Sequence, residues 1–89
     1  MNYPSMDERG AVLQALQAAA NEVLGDKAPE LTEDTVISSD TIDSLDLVEM
    51  MMVLEEAEGI EIDGDEMRDI TDLRGVVDVI VAKRAAARA

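Results

Sequence analysis

Ser44 is the side chain whose surroundings in this sequence most suggest covalent chemistry. It lies in the stretch DSLDL, directly after Asp43 and two residues before Asp46, where a helix is predicted to begin. A serine becomes a catalytic nucleophile when a histidine takes its proton, but the sequence contains no histidine and no Gly-x-Ser-x-Gly turn. Two interpretations stay open. Ser44 is either an ordinary residue of the helix start, in the first turn or as the N-cap of a helix that begins one position later, or a site where another enzyme attaches a phosphate-bearing group, which helix N-terminal N–H groups favour.

The residue composition excludes other kinds of chemistry. No cysteine is present, so the chain has no thiol of its own for disulfides, redox reactions or thioesters. A calcium loop of the EF-hand type needs glycine at its sixth position and glutamate at its twelfth. A loop starting at Asp40 places Leu45 and Met51 there, and a loop with Gly64 sixth would start at Gly59, which has no ligand side chain. We therefore predict neither a catalytic residue nor a metal site.

Negative charge is concentrated in one part of the chain. The net charge is −14, and residues 28–67 contain no lysine or arginine, so the excess of acidic residues lies in that segment together with Ser44. Such a surface repels nucleic acid and anionic lipid and attracts basic proteins. We therefore expect protein partners and no nucleic acid, although a surface that only keeps the protein in solution is the simpler alternative.

The size and hydropathy of the chain predict its general class. With 89 residues, no repeat and no long linker, residues 1–89 are expected to form a single small domain with a modest core and no large active-site cavity. No apolar run is long enough for a membrane span, and the N-terminal residues do not resemble an export signal. We expect a cytoplasmic protein that is a monomer.

The pattern of apolar residues predicts an all-α fold, a small bundle of three main helices and one short helix. The first helix is expected from Met6 to Leu24, with Ser5 as its N-cap residue. A long loop follows, with a possible short helical turn and with Leu31, Val36 and Ile42 turned inward. The other predicted elements are a second helix over Ser44–Glu58, capped by Asp43 and ended by Gly59, a short helix within 65–69, and a last helix that follows Asp72.

The second helix has apolar residues on two faces. On a helical wheel of about 100° per residue, its inner stripe faces the core and consists of Leu47, Met50, Met51 and Leu54. Leu45, Val48 and Met52 point away from this stripe and share their side of the helix with Glu49, Glu55 and Glu56. A surface helix needs only one apolar face. The second face therefore predicts a docking surface for basic proteins, unless the long loop or a neighbouring helix covers it.

The residues around Ser44 also resemble a known family. The run DSLDLVEMMMVLEE, followed by GIEI and then by DEMRDITDL, is similar to the acyl carrier proteins, in which D-S-L is the modification motif. The resemblance extends without a gap from about Thr41 to Ile80, and more loosely through the first helix and the loop. The tripeptide alone is a weak signal, and its combination with the later motifs makes the resemblance strong.

The resemblance implies a carrier protein that is not an enzyme. Ser44 would carry 4′-phosphopantetheine, transferred from coenzyme A by a phosphopantetheinyl transferase, and the thiol of this arm would hold acyl chains for acyltransferases, ketosynthases and other basic partner enzymes of fatty acid, polyketide or related biosynthesis. Asp43 and Leu45 would flank the attachment site. The resemblance also implies partner contacts at Asp46, Val48, Glu49, Met52, Glu55 and Glu56, and an acyl pocket lined by Leu47, Met50, Met51, Leu54, Ile62 and Ile70.

The sequence departs from the family pattern at two places, and two other functions remain as alternatives. Asp40 and Thr41 stand where many members have Leu-Gly, and Glu58 stands where members usually have phenylalanine. Either the second helix unwinds by Glu58 and Ile60 fills the space, or the pocket has a different shape. A peptidyl or D-alanyl carrier protein is an alternative with the same modified serine. An unmodified acidic interaction module is the alternative that gives Ser44 no role.

Overall fold

The computed structural model describes residues 4–88, with the side chains of residues 8–87, and these form four α-helices. They are α1 (Pro4–Leu24), α2 (Ser44–Glu58), α3 (Gly64–Met67) and α4 (Leu73–Arg88), with a 3₁₀ turn over Gly25–Lys27. The described residues contain no strand, only two isolated backbone bridges. The predicted all-α fold with three main helices and one short helix is therefore confirmed, and so is the short helical turn after the first helix.

A single apolar core joins α1, α2 and α4 because each helix contributes one apolar stripe. α1 packs against both other long helices. The side chains with no exposed surface include Val12 and Leu16 of α1, Met50 of α2, and Leu73 and Ile80 of α4. No buried polar or charged residue is found in the described part of the chain. Burial of apolar surface thus holds together the helices that position Ser44.

Helix α2 has the limits that the sequence predicts. Its N-cap is Asp43, whose carboxylate accepts a hydrogen bond from the backbone N–H of Asp46 at 2.7 Å. The Asp46 carboxylate accepts in return from the Asp43 N–H, which completes a reciprocal capping box. At the other end, Gly59 adopts a left-handed conformation with φ 69°, which glycine tolerates without steric cost.

Two helix limits differ from the prediction. α1 begins at Pro4 rather than Met6, so Ser5 lies inside the helix and the prediction that it is the N-cap is wrong. Proline suits the first position of a helix because its missing N–H has no intrahelical partner there. α3 begins at Gly64 and ends at Met67, earlier than the predicted 65–69. The N–H of Asp63 donates to the Glu66 carboxylate at 2.9 Å, which fixes this start.

The long loop buries only part of the predicted apolar set. Leu31 and Ile42 are buried as predicted, but Val36 is 57% exposed, so its predicted inward position is wrong. The reason is a short antiparallel bridge between this loop and the residues before α4. The N–H of Ile37 donates to the Thr71 carbonyl at 2.9 Å, and side chains alternate between the two sides of such extended backbone. Ile37 therefore packs against the core while Val36 faces outward.

Glu58 lies within α2, so the helix does not unwind at the position where the family usually has phenylalanine. The Glu58 carboxylate accepts two hydrogen bonds from the Arg84 guanidinium, at 2.8 and 2.6 Å, and both side chains are largely covered. These bonds raise the pKa of Arg84 above its ordinary value. Ile60 is buried beyond the end of the helix. A half-buried ion pair between α2 and α4 therefore occupies the region where an aromatic ring is usual.

Candidate functional site

Ser44 is the first residue of α2, and its side chain is exposed. Its hydroxyl has no hydrogen-bond partner among the described side chains and backbone groups. The flanking Asp43 and Asp46 are half-buried and bind the backbone of the first turn. The two acids thus fix the helix start, while the serine hydroxyl is left available to an external reagent.

The turn that precedes Ser44 explains why the family's usual glycine is not needed. The hydroxyl of Thr41 donates to the carbonyl of Val36, and the N–H of Thr41 donates to the Ser38 carbonyl at 3.1 Å. The N–H of Ser38 donates to the Ile42 carbonyl at 2.9 Å. Within residues 4–88, only glycines have positive φ, so the backbone at Thr41 requires no glycine. Side-chain and backbone hydrogen bonds hold the turn that leads into α2.

A cavity of about 340 Å³ opens beside Ser44, between α2 and α3. Its walls are mostly apolar, and its lining residues are Ser44, Leu47, Val48, Met51, Met52, Glu55, Ile62, Asp63, Gly64, Met67 and Arg68. An apolar cavity with a few polar groups at its edge is typical of a small-molecule site. The attachment-site candidate and this cavity therefore form one site.

The cavity contains only part of the predicted acyl pocket. Leu47, Met51 and Ile62 line it, as do three residues expected on the partner surface, Val48, Met52 and Glu55. Met50 and Leu54 are buried in the helical core, and Ile70 packs against that core. A Cβ added to Gly75 would lie 2.9 Å from Ile70 Cγ2, so Ile70 sits close to the start of α4.

The contribution of α3 and its flanking residues to the cavity was not predicted from the sequence. Its lining includes Asp63, Gly64, Met67 and Arg68, and none of these was predicted as a site residue. One signal was available, because Arg68 is the first basic residue after the acidic segment 28–67. The position of α3 against α2 depends on tertiary contacts, which the sequence pattern alone does not specify.

The outer face of α2 consists of Leu45, Val48, Glu49, Met52 and Glu56, all of which are exposed. Leu45 is 69% exposed, Val48 55% and Met52 61%, so neither the long loop nor another helix of the described chain covers them. The alternative in which these apolar residues are buried is therefore wrong. A cluster of exposed apolar side chains rimmed by carboxylates is a typical protein interaction surface.

Glu55 differs from the other acids of α2. Its side chain is half-buried, and its carboxylate accepts a hydrogen bond from the backbone N–H of Ile62 at 2.8 Å. This bond ties the loop after α2 to the helix and so supports one wall of the cavity. A change at Glu55 would therefore alter the cavity as well as the surface charge, unlike a change at Glu49.

Most basic side chains of the described chain pair with acids away from the outer face of α2. Arg9 and Arg74 bind Glu33, and Lys83 binds Glu66 at 2.9 Å. The Asp63 N–H and the Lys83 ammonium lower the pKa of Glu66, and the pKa of Lys83 is raised in return. Within the described residues, Glu49 and Glu56 have no ion-pair partner. The charge of this face is therefore not compensated by any described basic side chain.

An exposed serine at a helix start, an adjoining apolar cavity and an exposed acidic face on a small helical bundle are features that a carrier protein requires. Comparison with known proteins agrees. Residues 14–80 match the model of the family described as "Phosphopantetheine attachment site". The chain is 39% identical to an acyl carrier protein of Rubrobacter xylanophilus over 80 residues, which cover 89% of this chain and 99% of that protein.

Other relatives have the same description. An acyl carrier protein of Guillardia theta is 38% identical over 84% of this chain and 94% of its own length. Another, of Syntrophobacter fumaroxidans, is 31% identical over 91% of this chain and 100% of its own length. No solved structure gives a significant match. The chain belongs to the acyl carrier protein family, whose prosthetic group is 4′-phosphopantetheine and whose members serve biosynthetic enzymes.

The residues around Ser44 fit this prosthetic group. The hydroxyl is exposed, it lies at a helix N-terminus that favours a phosphate, and it borders a cavity with apolar walls.

Among residues 4–88, no helix combines the length and the apolar character needed to cross a membrane.

Proposed function

We propose that Ser44 is the residue to which 4′-phosphopantetheine is attached. The observation that carries this proposal is the exposed and unpaired hydroxyl at the first position of α2, next to the cavity. When bound, the group supplies the thiol that this cysteine-free chain lacks, and so allows acyl groups to be carried as thioesters. A phosphopantetheinyl transferase would deliver it from coenzyme A.

The chain's own residues have distinct roles in this proposal. The first turn of α2 orients Ser44 and stabilises the phosphate through its N–H groups. Leu47, Met51 and Ile62 offer an apolar wall for the acyl group, and the flexible thioethers of Met52 and Met67 adapt the cavity to different chains. Met50, Leu54 and Ile70 support this wall from the core side.

The outer face of α2 is the proposed docking surface for partner enzymes. Its unpaired carboxylates would speed encounter with a basic surface, and Leu45, Val48 and Met52 would then supply apolar contact. The partners proposed are acyltransferases, ketosynthases and related enzymes of fatty acid or polyketide biosynthesis, which the chain serves as a single carrier domain over residues 1–89.

Intact mass spectrometry tests the attachment site. The purified chain is incubated with coenzyme A and a broad-specificity transferase, and one phosphopantetheine is expected to be added. Ser44→Ala should abolish the gain and leave stability within about 0.5 kcal/mol, because the residue is exposed. Ser39→Ala, which removes an exposed hydroxyl from the loop, is the matched control and should be modified normally. An unchanged mass in the parent chain, or modification of Ser44→Ala, would refute the proposal.

A further inference from the structure

Among the described residues, the cavity beside Ser44 has one cationic side chain in its lining, that of Arg68. Arg68 follows directly on α3 and its side chain is 73% exposed. The other charged residues of the lining are Glu55 and Asp63. The cavity is therefore an apolar space with acids at its edge and a single positive group, and this group has no role in the attachment chemistry described above.

Electrostatics around Ser44 make a cation at this position useful. Asp43 and Asp46 flank the serine, and the outer face of α2 adds unpaired carboxylates. A phosphodiester on Ser44 brings another negative charge into this region. Other described cations, such as Lys83 and Arg84, pair with Glu66 and Glu58 and do not line the cavity. Arg68 is the lining residue able to offset the added charge.

The present partner of Arg68 does not prevent such a contact. Its guanidinium lies 2.5 Å from the Asp65 carboxylate one turn earlier, and both side chains are mostly exposed. An exposed ion pair of this kind contributes little free energy, so the side chain exchanges partners readily. Arginine also binds phosphate oxygens through two parallel N–H donors, which a lysine does not reproduce.

We propose that Arg68 binds the phosphodiester of the group attached to Ser44 and thereby positions the arm along the cavity between α2 and α3. The inference rests on the proposed function, since it requires the phosphodiester at Ser44. The phosphodiester is favoured as the ligand of Arg68 over a carboxylate of the acyl group. The phosphodiester is bonded to a residue of the same cavity and is present in every modified molecule. Arg68 is a positioning residue in this scheme.

The test compares modified and unmodified forms of each variant. Intact mass first establishes that the parent chain, Arg68→Gln, Arg68→Lys and Lys27→Gln all carry the group. Lys27→Gln is the control, because it removes one charge from an exposed side chain that does not line the cavity. For each protein, the melting temperatures of the two forms and the phosphorus-31 NMR shift of the phosphodiester are measured at low and high salt.

Attachment of the group should raise the melting temperature less, or lower it more, in Arg68→Gln than in the parent chain. The expected difference is about 2 to 5 °C at low salt, as for one exposed charge contact in a domain of this size, and it should shrink at high salt. The phosphorus-31 signal should move in Arg68→Gln and partly in Arg68→Lys, and Lys27→Gln should behave as the parent chain.

Three outcomes would overturn the inference while leaving the attachment site intact. One is an identical response of the parent chain and Arg68→Gln to modification. Another is an equal effect of Lys27→Gln, which would indicate general charge rather than a contact. The third is a difference that emerges only after a glutaryl group is loaded from its coenzyme A ester, because Arg68 would then bind the carboxylate of the cargo. A failure of the proposed function would instead be seen earlier, as an unchanged mass.

Discussion

Acidic residues are found both on the outer face of α2 and in the region where α1, the long loop and α4 meet. Only in the second region do basic residues of the described chain pair with these acids. In that region Glu33 binds Arg9 and Arg74, and Arg9 also binds Asp78 at 2.7 Å. On the outer face, the carboxylates of Glu49 and Glu56 have no cationic partner within the described residues. The two regions therefore use the same residue types for different purposes.

Packing shows the same difference within one helix. The inner stripe of α2 (Leu47, Met50, Met51 and Leu54) is buried, whereas the apolar residues of the outer face are more than half exposed. Folding free energy comes mainly from buried apolar surface, so the outer face can change with little effect on stability. The inner side of α2 thus carries residues that stabilise the fold, and its outer side carries residues that are accessible to partners.

The largest expected effect tests this separation with two methionines of α2. Met50 has no exposed surface, and Met52 is 61% exposed. Met50→Ala should lower the free energy of unfolding by about 2 to 5 kcal/mol, because it leaves a cavity in the core. Met52→Ala should change it by about 0.5 kcal/mol or less. Urea unfolding followed by circular dichroism measures both, and similar losses for the two variants would contradict the assignment of the faces.

A second effect tests whether charge pairing distinguishes the two acidic regions. The hydrogen bonds from Arg9 hold the pKa of Glu33 below its ordinary value. The pair therefore contributes stability above the unfolded pKa of about 4.3, and this stability is lost as the pH falls through the lower folded pKa. Glu33→Gln should cost about 1 kcal/mol at pH 7, and its unfolding curve should converge with that of the parent chain in acid.

The control for this experiment comes from the outer face. Glu56→Gln removes a carboxylate that has no ion-pair partner in the described part of the chain, so it should not destabilise the protein at pH 7. At low salt it should stabilise slightly, because it reduces repulsion within the acidic segment. Equal costs for Glu33→Gln and Glu56→Gln would remove the proposed difference between the two regions.

The features that depend on residues close together in the chain were predicted from the sequence. The limits of α2, its cap at Asp43 and its buried stripe follow from local chemistry and helical spacing, and the structure confirms all three. The exposed position of Val36 was not predictable in this way, because it depends on a bridge to Asp72, far along the chain. The same holds for Glu58, whose polar side chain is explained by Arg84 of another helix.

The candidate site also contains both kinds of feature, those predicted from one helix and those that depend on tertiary packing. Ser44 and the outer face of α2 were found from one helix and its pattern, together with the resemblance to a family. The part of the cavity formed by Met67 and Arg68 depends on how α3 packs beside α2, and no periodicity indicates that. The role of Glu55 was also missed, since its hydrogen bond to the Ile62 N–H closes a loop whose path the sequence does not fix.

The smallest expected effect on stability is also the most direct test of the docking surface. Glu49→Lys reverses an exposed charge, so the free energy of unfolding should change by about 0.5 kcal/mol or less. The second-order rate of modification by the transferase should fall by roughly 3- to 10-fold at low ionic strength, and the difference should shrink as salt is added. Glu22→Lys makes the same change of charge on an exposed position of α1 and should leave the rate nearly unchanged.

If both variants slowed modification equally, the effect would belong to the net charge of the protein. If neither did, the outer face of α2 would not be the surface that the transferase contacts. A loss confined to Glu49→Lys, with stability preserved, would show that the unpaired carboxylates act in encounter with partners rather than in folding.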